Sequence, residues 1–182
     1  MNSRVWLIGA TSIVLACNFL FLPAGTATPE AVISPTEKTS EVDSPSNIAP
    51  MGFSIVRLHP GDGDLQIMLA NEAQKAMAAG QMPVVEFDAT WCPPCRAIEK
   101  AFAAKNKLIL KAYDGTYIIK LYVDEWKWKD GRVQNFSFGG IPVYFKLNAE
   151  GKQTGEVIDG GAWNEDIPEN IAPVMDKFFH GE

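Results

Sequence analysis

Trp91-Cys92-Pro93-Pro94-Cys95 follows an apolar run, Pro83-Val84-Val85-Glu86-Phe87, and opens a helical pattern, Arg96-Ala97-Ile98-Glu99-Lys100-Ala101-Phe102. Two thiols separated by two residues at a helix start can close a small disulfide, and the helix favours the thiolate of the first. That is chemistry for passing electron pairs between dithiols and disulfides. The same spacing makes half of a zinc site, but such a site wants four ligands. The other candidate ligands are Cys17, inside an apolar N-terminal segment, and His59 and His180, which are far apart and form no pair. Two prolines between the thiols, with a helix starting there, suit a reactive pair better than a structural staple. No metal is expected.

Working outward, the chain has 182 residues, 47% of them hydrophobic, which fits one small domain plus a targeting region. Its 22 acidic residues outnumber 16 basic ones, for a net charge of −6. With no Lys/Arg cluster, the chain lacks the basic face that nucleic acid needs, so no nucleic-acid partner is expected.

Residues 1–27 read as a targeting segment. Arg4 is the only charge before a nearly continuous apolar run from Val5 to Leu22, the pattern of a secretory signal. Three outcomes stay open: cleavage after Ala27, retention as a membrane anchor, or lipidation of Cys17, since Val14-Leu15-Ala16-Cys17 resembles a bacterial lipoprotein box. Phe19 to Leu22 speaks against the last, because polar sequence usually follows such a box. Residues 28–50 hold four prolines, repeated Ser and Thr and several acids. Without apolar periodicity they form a linker, either a tether that lets the domain reach partners or a plain spacer.

Residues 51–182 alternate strands and helices. Phe53 to Leu58 reads as a strand, and Asp64 caps a helix running to Ala79 and stopped by Gly80. Pro83 to Asp88 and Tyr117 to Val123 read as buried strands. Val143 to Leu147 and Thr154 to Ile158 flank a turn at Asn148-Ala149-Glu150-Gly151. Ile171, Val174, Met175 and Phe178 give the last helix its apolar face, with Pro173 in its first turn or kinking it.

This order of elements resembles the thioredoxin fold, an α/β arrangement with a central mixed β-sheet flanked by helices. Several positions away from the cysteines carry the resemblance over about Phe53 to Phe179. Glu86 lies where the family has a buried acid, and Lys120 matches the lysine that neighbours that acid. Ile141-Pro142 opens the hairpin where the family has a cis-proline, and Gly160-Gly161 falls where the family has a glycine. The chain is most similar to envelope-located bacterial thioredoxin-like proteins, which often carry Trp-Cys-Pro-Pro-Cys.

The resemblance implies a thiol-disulfide oxidoreductase without a cofactor, acting on protein disulfides. Cys92 is expected to be the more exposed thiol and the nucleophile, and Cys95 the buried thiol that resolves the mixed disulfide. Glu86 would accept the proton of Cys95, directly or through water, and Lys120 would tune Glu86. Family members usually have Asp at this position, so the reach of the longer Glu is in question. The plainer reading of Glu86 and Lys120 is a buried ion pair with a structural role alone. Ile141, before Pro142, would offer backbone groups to an extended substrate strand. Trp91, Pro93 and Pro94 would shape the contact surface, although Trp91 could equally pack in the core. Trp126-Lys127-Trp128-Lys129 would cover a satellite core or present aromatics to a partner. Trp163 is expected in the core.

Pro93 and Pro94 leave no basic side chain between the cysteines to stabilise the Cys92 thiolate, and Ile141 matches reducing thioredoxins. The expected direction is therefore reduction, in the bacterial cell envelope, with a membrane electron-transfer protein as redox partner and the protein as a monomer. The alternatives are a disulfide oxidase or isomerase, a copper(I)-binding assembly factor using the same thiols, or a module that only docks a partner.

Overall fold

The computed structural model describes residues 52–181 apart from 129–131 and 134. Residues 1–27, Cys17 and the linker 28–50 lie outside the described residues. Among those described, no helix is long and apolar enough to cross a membrane.

The chain runs β1 (Ser54–Arg57), α1 (Leu65–Ala78), β2 (Met82–Asp88), α2 (Pro93–Ala103), α3 (Lys107–Ala112), β3 (Thr116–Tyr122), β4 (Arg132–Val133), β5 (Phe136–Ser137), β6 (Val143–Leu147), β7 (Gln153–Asp159) and α4 (Pro168–His180). Five strands form one mixed sheet in the order β1-β3-β2-β6-β7, with β1, β3 and β2 parallel and the β6–β7 hairpin antiparallel to them. The anticipated α/β fold is the one observed.

Side chains alternate across a strand, so β2 and β3 feed two cores. Val85, Phe87, Ile119 and Leu121 pack with Leu65, Met68 and Leu69 of α1. Val84 and Ile118 pack with Ile98 and Ala101 of α2, Ile109 and Ala112 of α3, and Ile171, Met175 and Phe179 of α4. The Asp64 carboxylate accepts from the Ile67 N–H, the cap that starts α1. The α1 helix then closes against the hairpin turn: a Cβ on Gly151, at φ +70°, would lie 2.5 Å from the backbone of Leu69 and Ala70.

Two elements were not anticipated. Lys107–Ala112 forms α3, whose start is set by the Asn106 side chain accepting from the N–H groups of Leu108 and Ile109. Six residues are too few to show helical periodicity. The β4–β5 ladder lies between β3 and Pro142, and Phe136 packs edge-on against Phe87 at 5.1 Å. Trp128 stacks on Phe138 at 5.2 Å and Trp126 donates to the Leu58 carbonyl, so this tryptophan pair covers a satellite of the core. Trp163 is buried, as anticipated. Helix α4 starts at Pro168, earlier than its apolar face suggests, which moves Pro173 out of the first turn and into the second.

Candidate active site

The end of β2 delivers the chain to the N-terminus of α2. Cys92 is the N-cap, Pro93 and Pro94 are the first helical residues, where a missing N–H costs nothing, and Cys95 is the third. The two cysteines form a disulfide, with Cα atoms 5.3 Å apart. The Cys95 N–H donates to Cys92 Sγ at 3.2 Å, so the helix end aims a donor at the sulfur where charge would develop.

The expectation that Cys92 is the more exposed thiol is corrected: Cys92 and Cys95 are each only 2% exposed. In the disulfide each sulfur covers the other, the Ile141 carbonyl oxygen sits 3.6 Å from Cys92 Sγ, and both residues join the core cluster on the α1 side. Position, not exposure, distinguishes them. The rim is open, because Trp91 is 57% exposed and Pro93, Gly139 and Gly140 are exposed beside it. Trp91 donates to the Asp124 carboxylate at 2.9 Å, which places it on the surface rather than in the core.

Pro142 follows a cis bond to Ile141, whose carbonyl faces Cys92 Sγ, and is buried. Its carbonyl accepts from the Gly160 N–H at 2.9 Å. A Cβ on Gly160 would come within 3.1 Å of Pro142 Cδ, so glycine is what lets β7 end against the proline. The sequence-derived set Cys92, Cys95, Trp91, Pro93, Pro94, Ile141 and Pro142 thus meets at one end of the sheet.

Glu86 and Lys120 also meet, but in larger company. The β registers align Arg57, Lys120, Glu86 and Tyr144 in one row across β1, β3, β2 and β6. Glu86 Oε1 accepts from the Tyr144 hydroxyl at 2.9 Å, and Tyr144 in turn accepts from the Tyr113 hydroxyl at 3.1 Å. Glu86 Oε2 is 3.6 Å from Lys120 Nζ. The lysine lies closer to Asp88, at 2.9 Å, and donates to Glu99 of α2. No hydrogen bond joins Glu86 to Cys95 among the described residues.

Burial lifts the Glu86 carboxyl from 4.5 to about 7, against the opposing pull of Lys120. Burial raises Asp88 as well, again partly offset by Lys120. Burial draws Lys120 down, but the charges of Glu86 and Asp88 outweigh it and hold the ammonium above its usual range. Tyr113 and Tyr144 are pushed well up, first by burial and then by the Glu86 charge.

Asp88, Glu99 and Tyr144 were missed as members of this site. Two of them had a signal: Asp88 shares a strand face with Glu86 two residues earlier, and Glu99 follows Cys95 by one helical turn. Tyr144 needs the β2–β6 register, which no local pattern supplies.

A paired-cysteine helix start facing a cis-proline, at the end of a five-stranded mixed sheet, defines a thioredoxin-like thiol-disulfide oxidoreductase. The thioredoxin family profile matches residues 66–173, and the chain belongs to that family. It is 32% identical over 116 residues to the thioredoxin-like protein HCF164, chloroplastic, of Oryza sativa subsp. japonica, a match covering 62% of this chain and 43% of that protein. It is 31% identical to thioredoxin H4 of Arabidopsis thaliana over 55% of this chain and 76% of that one. The chain thus spans less than half of the rice protein's length. Among solved structures, a reduced Schistosoma mansoni thioredoxin pre-protein aligns with TM-score 0.41 and 22% identity, over 69% of this chain and 98% of that one.

Proposed function

We propose that the protein reduces protein disulfides in the bacterial cell envelope, as a monomer with a membrane electron-transfer protein as its redox partner. The observation that carries the exchange chemistry is the Cys92–Cys95 disulfide at the start of α2, with the Cys95 N–H directed at Cys92 Sγ. In the reduced protein the Cys92 thiolate attacks a client disulfide: a Cys92–client bond forms, the client bond breaks, and the departing client thiolate takes a proton from water. Cys95 then gives up its proton and attacks Cys92 Sγ. The Cys92–Cys95 bond forms, the mixed disulfide breaks, and the client leaves with two electrons as a dithiol. The membrane partner returns two electrons from a dithiol of its own.

Glu86 is the proposed acceptor of the Cys95 proton. Tyr144 and Lys120 flank its two oxygens, and the proton passes to it directly or through an intervening water. Reduction rather than oxidation is supported by Pro93 and Pro94, which place no cation or polar side-chain donor beside Cys92, so the reduced form gains no extra stabilisation.

The test has two arms. Equilibration of the Cys92/Cys95 couple with glutathione should give a potential near that of reducing thioredoxins; a value near that of strong oxidants overturns the direction. Cys95→Ala should accumulate a client mixed disulfide on Cys92, and Cys92→Ser should abolish insulin reduction. Full activity without Cys92, or faster alkylation of Cys95 than of Cys92 in the reduced protein, would remove Cys92 as nucleophile.

A further inference from the structure

The Lys120 ammonium is buried among three carboxyl groups and does not serve them equally. It is 2.9 Å from Asp88 Oδ2, hydrogen-bonded to Glu99 Oε1, and 3.6 Å from Glu86 Oε2, beyond hydrogen-bonding distance. The cation is therefore drawn toward Asp88 and Glu99, and among the described residues Glu86 keeps only the Tyr144 hydroxyl as a close donor. Lys120 is the cation in contact with the three acids, with Arg57 acting on Asp88 from farther off. Two of the acids, Glu86 and Asp88, are buried, so the cluster cannot hold both ionised cheaply. A second observation adds to that cost: Asp88 is almost fully buried, yet among the described residues its Oδ1 has no hydrogen-bond partner.

We propose that Asp88 and Glu99 are positioning residues that hold Lys120 away from Glu86, leaving Glu86 as the group of the cluster that takes up and releases a proton. The charged and titratable groups around Glu86 are Asp88 on its own strand, Lys120 on β3, Glu99 on α2, Tyr144 on β6, Tyr113 at the end of α3, and Arg57 opposite Lys120 on β1. Arg57 does not replace Lys120, because its guanidinium lies over the Tyr122 ring, 3.1 Å from the centroid, and its Nη1 has no hydrogen-bond partner among the described residues. Glu99 differs from the other acids in standing at the surface, its side chain 52% exposed. It ties a solvent-facing helix position to a buried lysine and through it to the active-site acid. Both negative charges also oppose ionisation of Glu86 directly.

This inference deepens the proposed role of Glu86 as acceptor of the Cys95 proton, and its test separates the two. In the oxidised protein the disulfide leaves no thiol to titrate, so the Glu86 carboxyl can be followed alone by infrared difference spectroscopy or carbon-13 NMR. Glu99→Gln removes one charge and lets Lys120 settle on Glu86. The Glu86 midpoint should fall by about half a pH unit, discounted for solvent screening at an exposed position. Asp88→Asn should lower it by about one unit or more, because that charge is buried. Midpoints unchanged in both variants, or raised, overturn the inference. The pH profile of mixed-disulfide resolution by Cys95 is then measured in the same proteins. If its limb moves with the Glu86 midpoint, both readings stand. If the midpoint moves and the limb does not, the positioning of Lys120 stands and the role of Glu86 toward Cys95 falls.

Discussion

Replacing Glu86 by Gln should make the oxidised protein more stable at alkaline pH and leave it nearly unchanged at acid pH. The Glu86 carboxyl rises from 4.5 to about 7 on folding because it is buried. That is about 2.5 pH units, worth about 3 kcal/mol at 1.36 kcal/mol per unit. Below about pH 4.5 the group is protonated in both folded and unfolded chains, and no penalty exists. As pH rises from there toward 7 the unfolded chain loses its proton while the folded one keeps it, so stability falls. Above about pH 7 both are ionised and the full penalty of about 3 kcal/mol is in place. Gln is nearly the same shape, and its carbonyl can still accept from Tyr144. Lys120 keeps Asp88 and Glu99. Asp88 also titrates upward on folding, but it is common to both proteins and largely cancels in their difference. The assay is urea unfolding of both oxidised proteins at about pH 5 and about pH 8, comparing the difference between them. A gain near 3 kcal/mol at the higher pH that shrinks strongly at the lower one is expected. An equal difference at both pH values would mean packing or hydrogen bonding sets it, and would refute the titration argument.

Gly151→Ala should destabilise the domain by about 3 kcal/mol, since a Cβ there would sit 2.5 Å from the α1 backbone at a positive φ. A loss under about 1 kcal/mol by urea unfolding would mean that α1 and the hairpin turn separate easily. Trp91→Ala removes an exposed ring held by one hydrogen bond to Asp124, so stability should change by no more than about 0.5 kcal/mol. Its reduction of a protein disulfide should slow by about tenfold while reduction of a small disulfide does not. Equal slowing of both would remove Trp91 from the contact surface.

Much of this arrangement is legible in the sequence. Asp64 announces α1, Asn148 to Gly151 announces the hairpin, and the step from Phe87 to Cys92 announces a strand feeding a helix, because each signal is local. Glu86 is conspicuous because an acid inside an apolar run must be paired or neutralised. What stayed hidden depends on distance. The relative exposure of Cys92 and Cys95 is set by Ile141 and the α1 core, which arrive from far along the chain. The second and third acidic partners of Lys120 come from a strand alternation and a helical turn. Neither identifies a contact until Lys120 itself is placed between them.

The cost of the buried cluster argues that it is more than a brace. Lys120, Glu86 and Asp88 are shut away in a sheet whose buried positions are mostly apolar, and well-packed apolar residues there would hold the fold at least as well. The two buried tyrosines extend the polar row rather than shield it, since each spends its hydroxyl on the next group toward Glu86. A brace would bring Lys120 into contact with Glu86; here the lysine leans away, and the acid sits near neutral pH, where proton transfer is most efficient. Glu86→Gln therefore puts the two roles in opposition within one protein. If the cluster serves exchange, the variant at about pH 8 is more stable and resolves its mixed disulfide about tenfold or more slowly. Stability gained with no loss of resolution rate would reduce Glu86 and Lys120 to an ion pair.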